Sequence, residues 1–233
     1  MKRLFAILLL TSVTNLNAQT FWSSREYRIP GLGSKSTDFG VRYSSIDIVD
    51  WDTLLLSFGH GKELNKNMEG SITAAIGATD IPGVDGFVNL EFGGDLTPKY
   101  EFVLESGAKI VPFARVGLTG NLFSNYRETK VGENLFYEYF VTSGDTYLDF
   151  YGNYTAGLSY VGVDNKWAVS SEIGKYRSLG GDLNSEFFGD YESSIWTSQI
   201  YFKVGATSEI KLMYSVEAEL ETKTIGLFWS QSW

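Results

Sequence analysis

Cysteine is absent from the 233 residues, so disulfide support, thiolate metal sites and thiol nucleophiles are excluded together. Secreted soluble domains often lean on disulfides, so this absence tilts toward a fold whose own hydrogen-bond ladder supplies rigidity. Histidine occurs once, at His60, which narrows the room for histidine-dependent catalysis. Basic residues are outnumbered, 19 Lys and Arg against 28 Asp and Glu, and no Lys/Arg cluster offers the basic face that nucleic-acid phosphates require. Long hydrophobic runs are missing too: nothing approaches the ~20 apolar residues of a membrane-spanning helix, which excludes a helical membrane protein. Against only 4 Pro and 3 Met stand 14 Tyr, 16 Phe, 6 Trp and 25 Gly, a balance unusual for a soluble enzyme.

Lys2 and Arg3 precede an apolar run over residues 4–10, followed by a polar stretch ending in Leu16-Asn17-Ala18. This is the outline of a secretory signal peptide over residues 1–18, cleaved after Ala18; a retained helix is the alternative. Residues 19–35 then form an N-terminal periplasmic segment or a first strand, and residues 36–233 one domain.

Within that domain the recurring signal is a two-residue period. Ile210, Leu212, Tyr214, Val216, Ala218 and Leu220 share one parity, while Lys211, Met213, Ser215, Glu217, Glu219 and Glu221 share the other. A strand of this length exceeds the usual soluble strand and matches the ~9–11 tilted residues that cross a bilayer. The same alternation places Trp196, Ile200, Phe202, Val204 and Ala206 on one face, and likewise Trp167, Val169 and Ile173, and Tyr154, Ala156, Leu158 and Tyr160. Upstream it recurs at Ala114, Val116 and Leu118, at Tyr100, Phe102 and Leu104, at Ile72, Ala74, Ile76 and Ala78, and at Phe39, Val41 and Tyr43. Leu54-Leu55-Leu56 breaks it, leaving residues 50–60 ambiguous. Helix is disfavoured by the recurrent Gly and by the dominance of Val, Ile, Thr, Tyr and Phe.

Tight turns are expected at Val163-Asp164-Asn165-Lys166, Ser106-Gly107-Ala108-Lys109 and Thr207-Ser208-Glu209, with longer polar loops over residues 61–68, 124–134 and 178–191. Short turns on one rim and long loops on the other are what an outer-membrane barrel shows, and about ten strands fit, with eight or twelve as alternatives. Aromatics near strand ends (Tyr160 and Trp167 about one turn, Trp196, Trp229 and Trp233) suit two girdles at the headgroup layers.

The chain closes Thr224-Ile225-Gly226-Leu227-Phe228-Trp229-Ser230-Gln231-Ser232-Trp233, which resembles the C-terminal strand of bacterial outer-membrane proteins. In that superfamily the last strand alternates apolar residues and ends in an aromatic read by the assembly machinery. Ile225, Leu227, Trp229 and Trp233 fit, although Gln231 interrupts the parity. By pattern the chain resembles the small barrels grouped around OmpA and OmpX, and the resemblance brings no residue-level functional motif. It implies a closed antiparallel up-and-down transmembrane β-barrel, monomeric in the outer membrane, with lipid and the assembly machinery as partners.

If the apolar parity faces lipid, the other lines the lumen with Arg115, Glu172, Lys203, Lys211, Glu217 and Glu219. These should pair across a low-dielectric interior, either stiffening a plugged barrel or lining a pore whose carboxylates favour cations. The function expected is a structural or surface barrel or a narrow passive pore, not an enzyme. The competing readings are an enzyme using His60 and a secreted β-sandwich. Ser57 and His60 are three apart and so point to opposite faces of a strand, which argues against a Ser–His pair. Gly93-Gly94-Asp95 and Gly180-Gly181-Asp182 match no phosphate loop and read as turns, as do residues 80–86. No metal-ligand spacing is present, and no cofactor is expected.

Overall fold

The structure, a computed structural model, describes residues 29–32, 35–46, 51–80, 87–130, 137–181, 192–218 and 221–232. Alternation of β-branched, aromatic and small polar residues drives nearly all of them into strands. These are β1 (Lys35–Ile46), β2 (Trp51–Asn65), β3 (Met68–Asp80), β4 (Phe87–Pro98), β5 (Phe102–Val103), β6 (Lys109–Lys130), β7 (Tyr137–Val161), β8 (Trp167–Gly181), β9 (Glu192–Lys203), β10 (Ser208–Glu217) and β11 (Thr222–Ser232). They form one antiparallel sheet in the order β4-β3-β2-β1-β11-β10-β9-β8-β7-β6-β5, and β4 also pairs with β6. That pairing closes the sheet. With β5 only two residues long, the result is a closed barrel of ten long strands.

Closure can be followed residue by residue. From Ile110 on β6 the directly paired neighbours run Tyr160, Val169, Ile200, Leu212, Leu227, Val41, Leu56, Ile76 and Leu90, and return to β6 at Leu122, twelve residues along. A stagger of twelve around ten strands fixes the strand tilt at ~40°, from the ordinary rise per residue and spacing between strands. A 12-residue strand such as β1 then stands ~30 Å tall, the thickness of a bilayer's hydrocarbon core. The same geometry makes the backbone cylinder ~20 Å across, so inward side chains reach most of the way to the axis.

Several segments depart from the sequence-based expectation. Residues 61–68 are no long loop: β2 runs to Asn65 and β3 starts at Met68, leaving a tight turn in which the Asn67 N–H donates to Asn65 Oδ1 at 2.9 Å. The strand ends are polar because they stand beyond the apolar belt, and polarity there mimics a loop. Gly93-Gly94-Asp95 is no turn but the middle of β4, paired with Thr73, Ile72 and Ser71. Its alternation of Val88, Leu90 and Phe92 outward with Asn89 and Glu91 inward went unread in the sequence. The alternating residues 100–105 instead belong to the connection between β4 and β6, where only the β5 stub pairs. Their alternation is local: the Tyr100 and Phe102 rings pack edge to face at 4.8 Å, and Glu101 turns to cations.

Residues 124–134 are likewise shorter as a loop than expected, since β6 continues to Lys130 and β7 resumes at Tyr137. Gly180 and Gly181 end β8 beside a register shift. The 163–166 turn is tight as expected, with Asp164 and Asn165 in the left-handed region. In the triple leucine, Leu54 and Leu56 face outward while Leu55 is buried in the lumen. It fits because β3 carries glycine opposite: a Cβ on Gly77 would lie 1.9 Å from the Leu54 carbonyl and 2.8 Å from Leu55 Cα. The expected signal peptide over residues 1–18, the expected turn residues 81–86, Glu219 and Trp233 lie outside the described residues.

Candidate functional site

The barrel has no apolar core in the ordinary sense. Its outer surface carries most of the large hydrophobics, Leu227 at 56% exposure and Ile72 at 62% among them, while its interior is lined mainly by polar side chains, with Leu55, Phe113, Ile195, Met213 and Phe228 set among them. Inward-facing buried carboxylates are Asp38, Glu69, Glu91, Asp95, Asp149, Glu172, Glu209 and Glu217; buried cations are Arg42, Lys99, Arg115 and Lys211. Eight negative groups against four positive leave the described interior acidic.

Arg115, Glu172, Lys211 and Glu217 all point into this lumen, each buried. Arg115 Nε lies 3.6 Å from Glu172 Oε2, which also accepts from the Thr155 hydroxyl at 2.6 Å, and the guanidinium sits 5.5 Å from the Phe113 ring centroid. Lys211 Nζ is 3.6 Å from Asp38 Oδ2 and stands over the Phe228 ring. Glu217 accepts from the Ser193 and Thr222 hydroxyls. Lys203 shares their parity but is exposed, because β9 ends with it: parity sets the side of the wall, whereas depth depends on where the strand stops.

Several lumen residues were not singled out from sequence. Arg42 donates from Nε to Ser57 Oγ at 2.6 Å and from Nη2 to Glu91 Oε1 at 3.2 Å, reaching from β1 to β4. The signal was there, since Arg42 stands between outward Val41 and Tyr43, and Glu91 between Leu90 and Phe92. The interior is also incompletely bonded by protein. Both amide atoms of Asn121 and of Gln199 lack a protein hydrogen-bond partner, with the side chains 2% and 3% exposed. Buried amides in that position call for water.

At the end of the barrel where β1 starts and β11 stops, a denser cluster forms. Lys99 Nζ lies 2.7 Å from Glu69, 2.6 Å from Glu101 and 3.5 Å from Glu63, and Lys109 lies 3.1 Å from Glu101. Burial works against the Lys99 charge, but Glu69 and Glu101 outweigh it and raise its pKa. For Glu101 burial is again opposed, here by Lys99 and Lys109, and its pKa is lowered. Residues 29–32 enter this mouth: Ile29 is buried against Val111, Val161, Ala168 and Tyr201, and the Gly31 N–H donates to Glu69 Oε1 at 3.1 Å.

His60 stands on the outward parity of β2, half-buried, with Nδ1 3.1 Å from the Thr37 hydroxyl, while Ser57 faces the lumen. The strand therefore separates the two. Among the described residues no group of three or more His, Asp or Glu is placed to hold a metal. On β11, Ile225, Leu227 and Trp229 face outward. Tyr160 stacks on Trp167 at 5.2 Å near the termini, and Trp196 meets Tyr214 edge to face at 6.0 Å nearer the other rim.

No family model matches the sequence, and no curated protein does. Solved structures do. An outer membrane channel from Pseudomonas putida F1 aligns with a TM-score of 0.52 at 10% identity, covering 89% of this chain and 100% of that one. The fold is that of an outer-membrane β-barrel. Weaker likenesses are the translocator domain of the autotransporter NalP from Neisseria meningitidis, with TM-score 0.42, 10% identity and coverage of 98% and 96%, and Neisserial surface protein A, with 0.37, 11% and coverage of 85% and 96%. At these identities the likeness concerns the fold alone, so function has to be argued from the lumen of this barrel.

Proposed function

We propose that the chain is a narrow passive pore of the bacterial outer membrane that favours cations. The observation carrying this is the charge of the wall: among the described residues, eight buried carboxylates against four buried cations on the inward faces. Rings of carboxylates lower the energy of a passing cation and raise that of an anion. The unpartnered amides of Asn121 and Gln199 support a lumen that admits water. The outward apolar belt with aromatics toward both rims supports insertion in lipid as a monomer, with the outward Ile225, Leu227 and Trp229 of β11 as the strand the assembly machinery reads. Shared pattern also supports a place beside the small barrels grouped around OmpA and OmpX.

The test is a planar-bilayer recording of the refolded mature chain under a KCl gradient. Discrete currents whose reversal potential has the sign of potassium permeation are expected; anion preference would overturn the reading. A second reading, a structural barrel stiffened by its contents, is favoured by the Arg42–Glu91 bridge from β1 to β4. Absence of any discrete current would select it.

A further inference from the structure

The inner wall is mainly polar, with single apolar side chains such as Leu55, Phe113, Ile195, Met213 and Phe228 set into it, but at the end where β1 starts and β11 stops Val111 of β6, Val161 of β7, Ala168 of β8 and Tyr201 of β9 form one buried apolar patch. A patch like this facing an open aqueous mouth would be unfavourable. It is covered by Ile29, 1% exposed, with Leu32 packed alongside. The segment is fitted rather than merely lodged. Gly31 has φ +91, and a Cβ there would stand 2.6 Å from Val111 Cγ2, so the chain can cross the patch at this point only as glycine. Its backbone is held from three directions: the Gly31 N–H by Glu69, the Gly31 carbonyl by Lys109 Nζ at 3.4 Å, and the Leu32 carbonyl by Asn165 Nδ2 at 3.5 Å. Glu69 is itself fixed by Lys99.

We propose that residues 29–32 are a reversible stopper of the lumen, seated on the Val111–Val161–Ala168–Tyr201 patch and latched by Glu69 and Lys109, so that current flows only while the segment is withdrawn. The inference rests on the pore reading above and adds the part that closes the pore. Reversibility follows from the small size of the contact. One buried isoleucine and a few hydrogen bonds favour the seated state by a factor on the order of 10²–10⁴, enough to keep the mouth closed most of the time and too little to make closure permanent.

The experiment pairs two readouts on the full mature chain, with heat-modifiable gel migration confirming that each variant is a folded barrel. In planar bilayers the parent is expected to open briefly and rarely. A variant lacking residues 29–32 should raise the open fraction by that same factor, on the order of 10²–10⁴, and Glu69→Gln should raise it by less. Because the chain has no cysteine, Ile29→Cys and, on the exposed turn, Val163→Cys can each be labelled with a water-soluble maleimide. Labelling at Ile29→Cys should be about 100-fold slower than at Val163→Cys and should accelerate when Glu69→Gln is added. Equal labelling rates at the two positions, or a deletion variant whose currents match the parent's, would overturn the stopper while leaving the pore. No current from either form would overturn the pore reading itself, and the gate with it.

Discussion

Replacing Glu91 by glutamine removes one charge from the lumen wall while keeping an oxygen that can accept from Arg42. In the parent, Arg42 Nη2 and Glu91 Oε1 are 3.2 Å apart, with side chains 2% and 1% exposed. At an effective dielectric of about 20, opposite charges at that separation attract by about 5 kcal/mol. Most of this is offset by the cost of taking both groups out of bulk water, so the measurable quantity is what Arg42 loses when this carboxylate is neutralised. In a dry wall removing one partner of a buried pair costs about 3–5 kcal/mol. If water enters, the loss falls toward the ~1 kcal/mol of an exposed pair. A lumen that conducts must be of the second kind, and the predicted destabilisation for Glu91→Gln is therefore about 1–2 kcal/mol. The assay is urea unfolding in lipid vesicles followed by tryptophan fluorescence, since Trp167, Trp196 and Trp229 face outward and report leaving the bilayer. Arg42→Gln and the double variant complete the cycle. A loss above about 4 kcal/mol for the single variant, recovered in the double, would mean a dry and tightly paired interior, and the water-admitting lumen would be refuted.

Acidity should act on the mouth from both sides. Glu101, held below its ordinary 4.5, contributes fully above that value and ceases to as pH falls through its lowered pKa; Lys99, held above its ordinary 10.5, contributes fully below that value and ceases to as pH rises through its raised pKa. Maleimide labelling at Ile29→Cys, corrected for thiolate fraction by the rate at Val163→Cys, should be slowest near neutral pH and rise toward either extreme; a flat corrected profile would contradict the role of the Lys99 cluster. On the outer face, Leu227→Arg places a cation in the middle of β11 where Leu227 is 56% exposed, and should cost about 2–4 kcal/mol of stability in vesicles. Unaltered stability there would mean that this face does not meet lipid. His60→Ala should leave conductance unchanged and stability within about 0.5 kcal/mol; a lipid- or peptide-cleaving activity present in the parent and missing from this variant would restore the enzyme reading.

Where one face is an apolar belt and the other a polar wall, parity alone is enough to assign the strand. The segments about Trp196, Ile210 and Leu227 are legible because their outward positions are predominantly apolar across the belt, although Ser198 and Gln231 interrupt that face and Ile195, Met213 and Phe228 turn inward. The reading failed where local pattern and depth part company. In β2 a leucine enters the lumen at position 55, and what admits it is a glycine on the neighbouring strand, Gly77, which no reading of β2 alone could supply. β4 escapes a reading by local pattern because two consecutive glycines look like turn residues, although an extended glycine still pairs through its backbone N–H and C=O. Lys203 illustrates the same limit for the site: its side of the wall was evident, its position at the rim was not. The mouth was the least visible part, because Lys99, Glu69 and Gly31 come from segments distant in sequence that only the closed barrel brings together.

Closure also decides when the stopper can be seated. β1 joins β11 from Ser36↔Ser232 to Ile46↔Thr222, a ladder between the two ends of the domain and hence the one with the largest chain separation to overcome. The patch that receives Ile29 lies on β6, β7, β8 and β9, strands that in the open sheet are separated from β1 by β10 and β11 on one side and by β2, β3 and β4 on the other. Ile29 is only six residues ahead of Lys35, where β1 begins, so it reaches that patch once the sheet has curled far enough to bring β1 across from it. Seating therefore accompanies or follows formation of the seam and cannot be what drives it. Removing residues 29–32 takes nothing from the β1–β11 ladder, so the deletion variant should form the closed barrel at the parent's rate, losing only the stability of the seated contact. A barrel that failed to close without this segment would make it part of the folding nucleus, and a permanent piece of the wall.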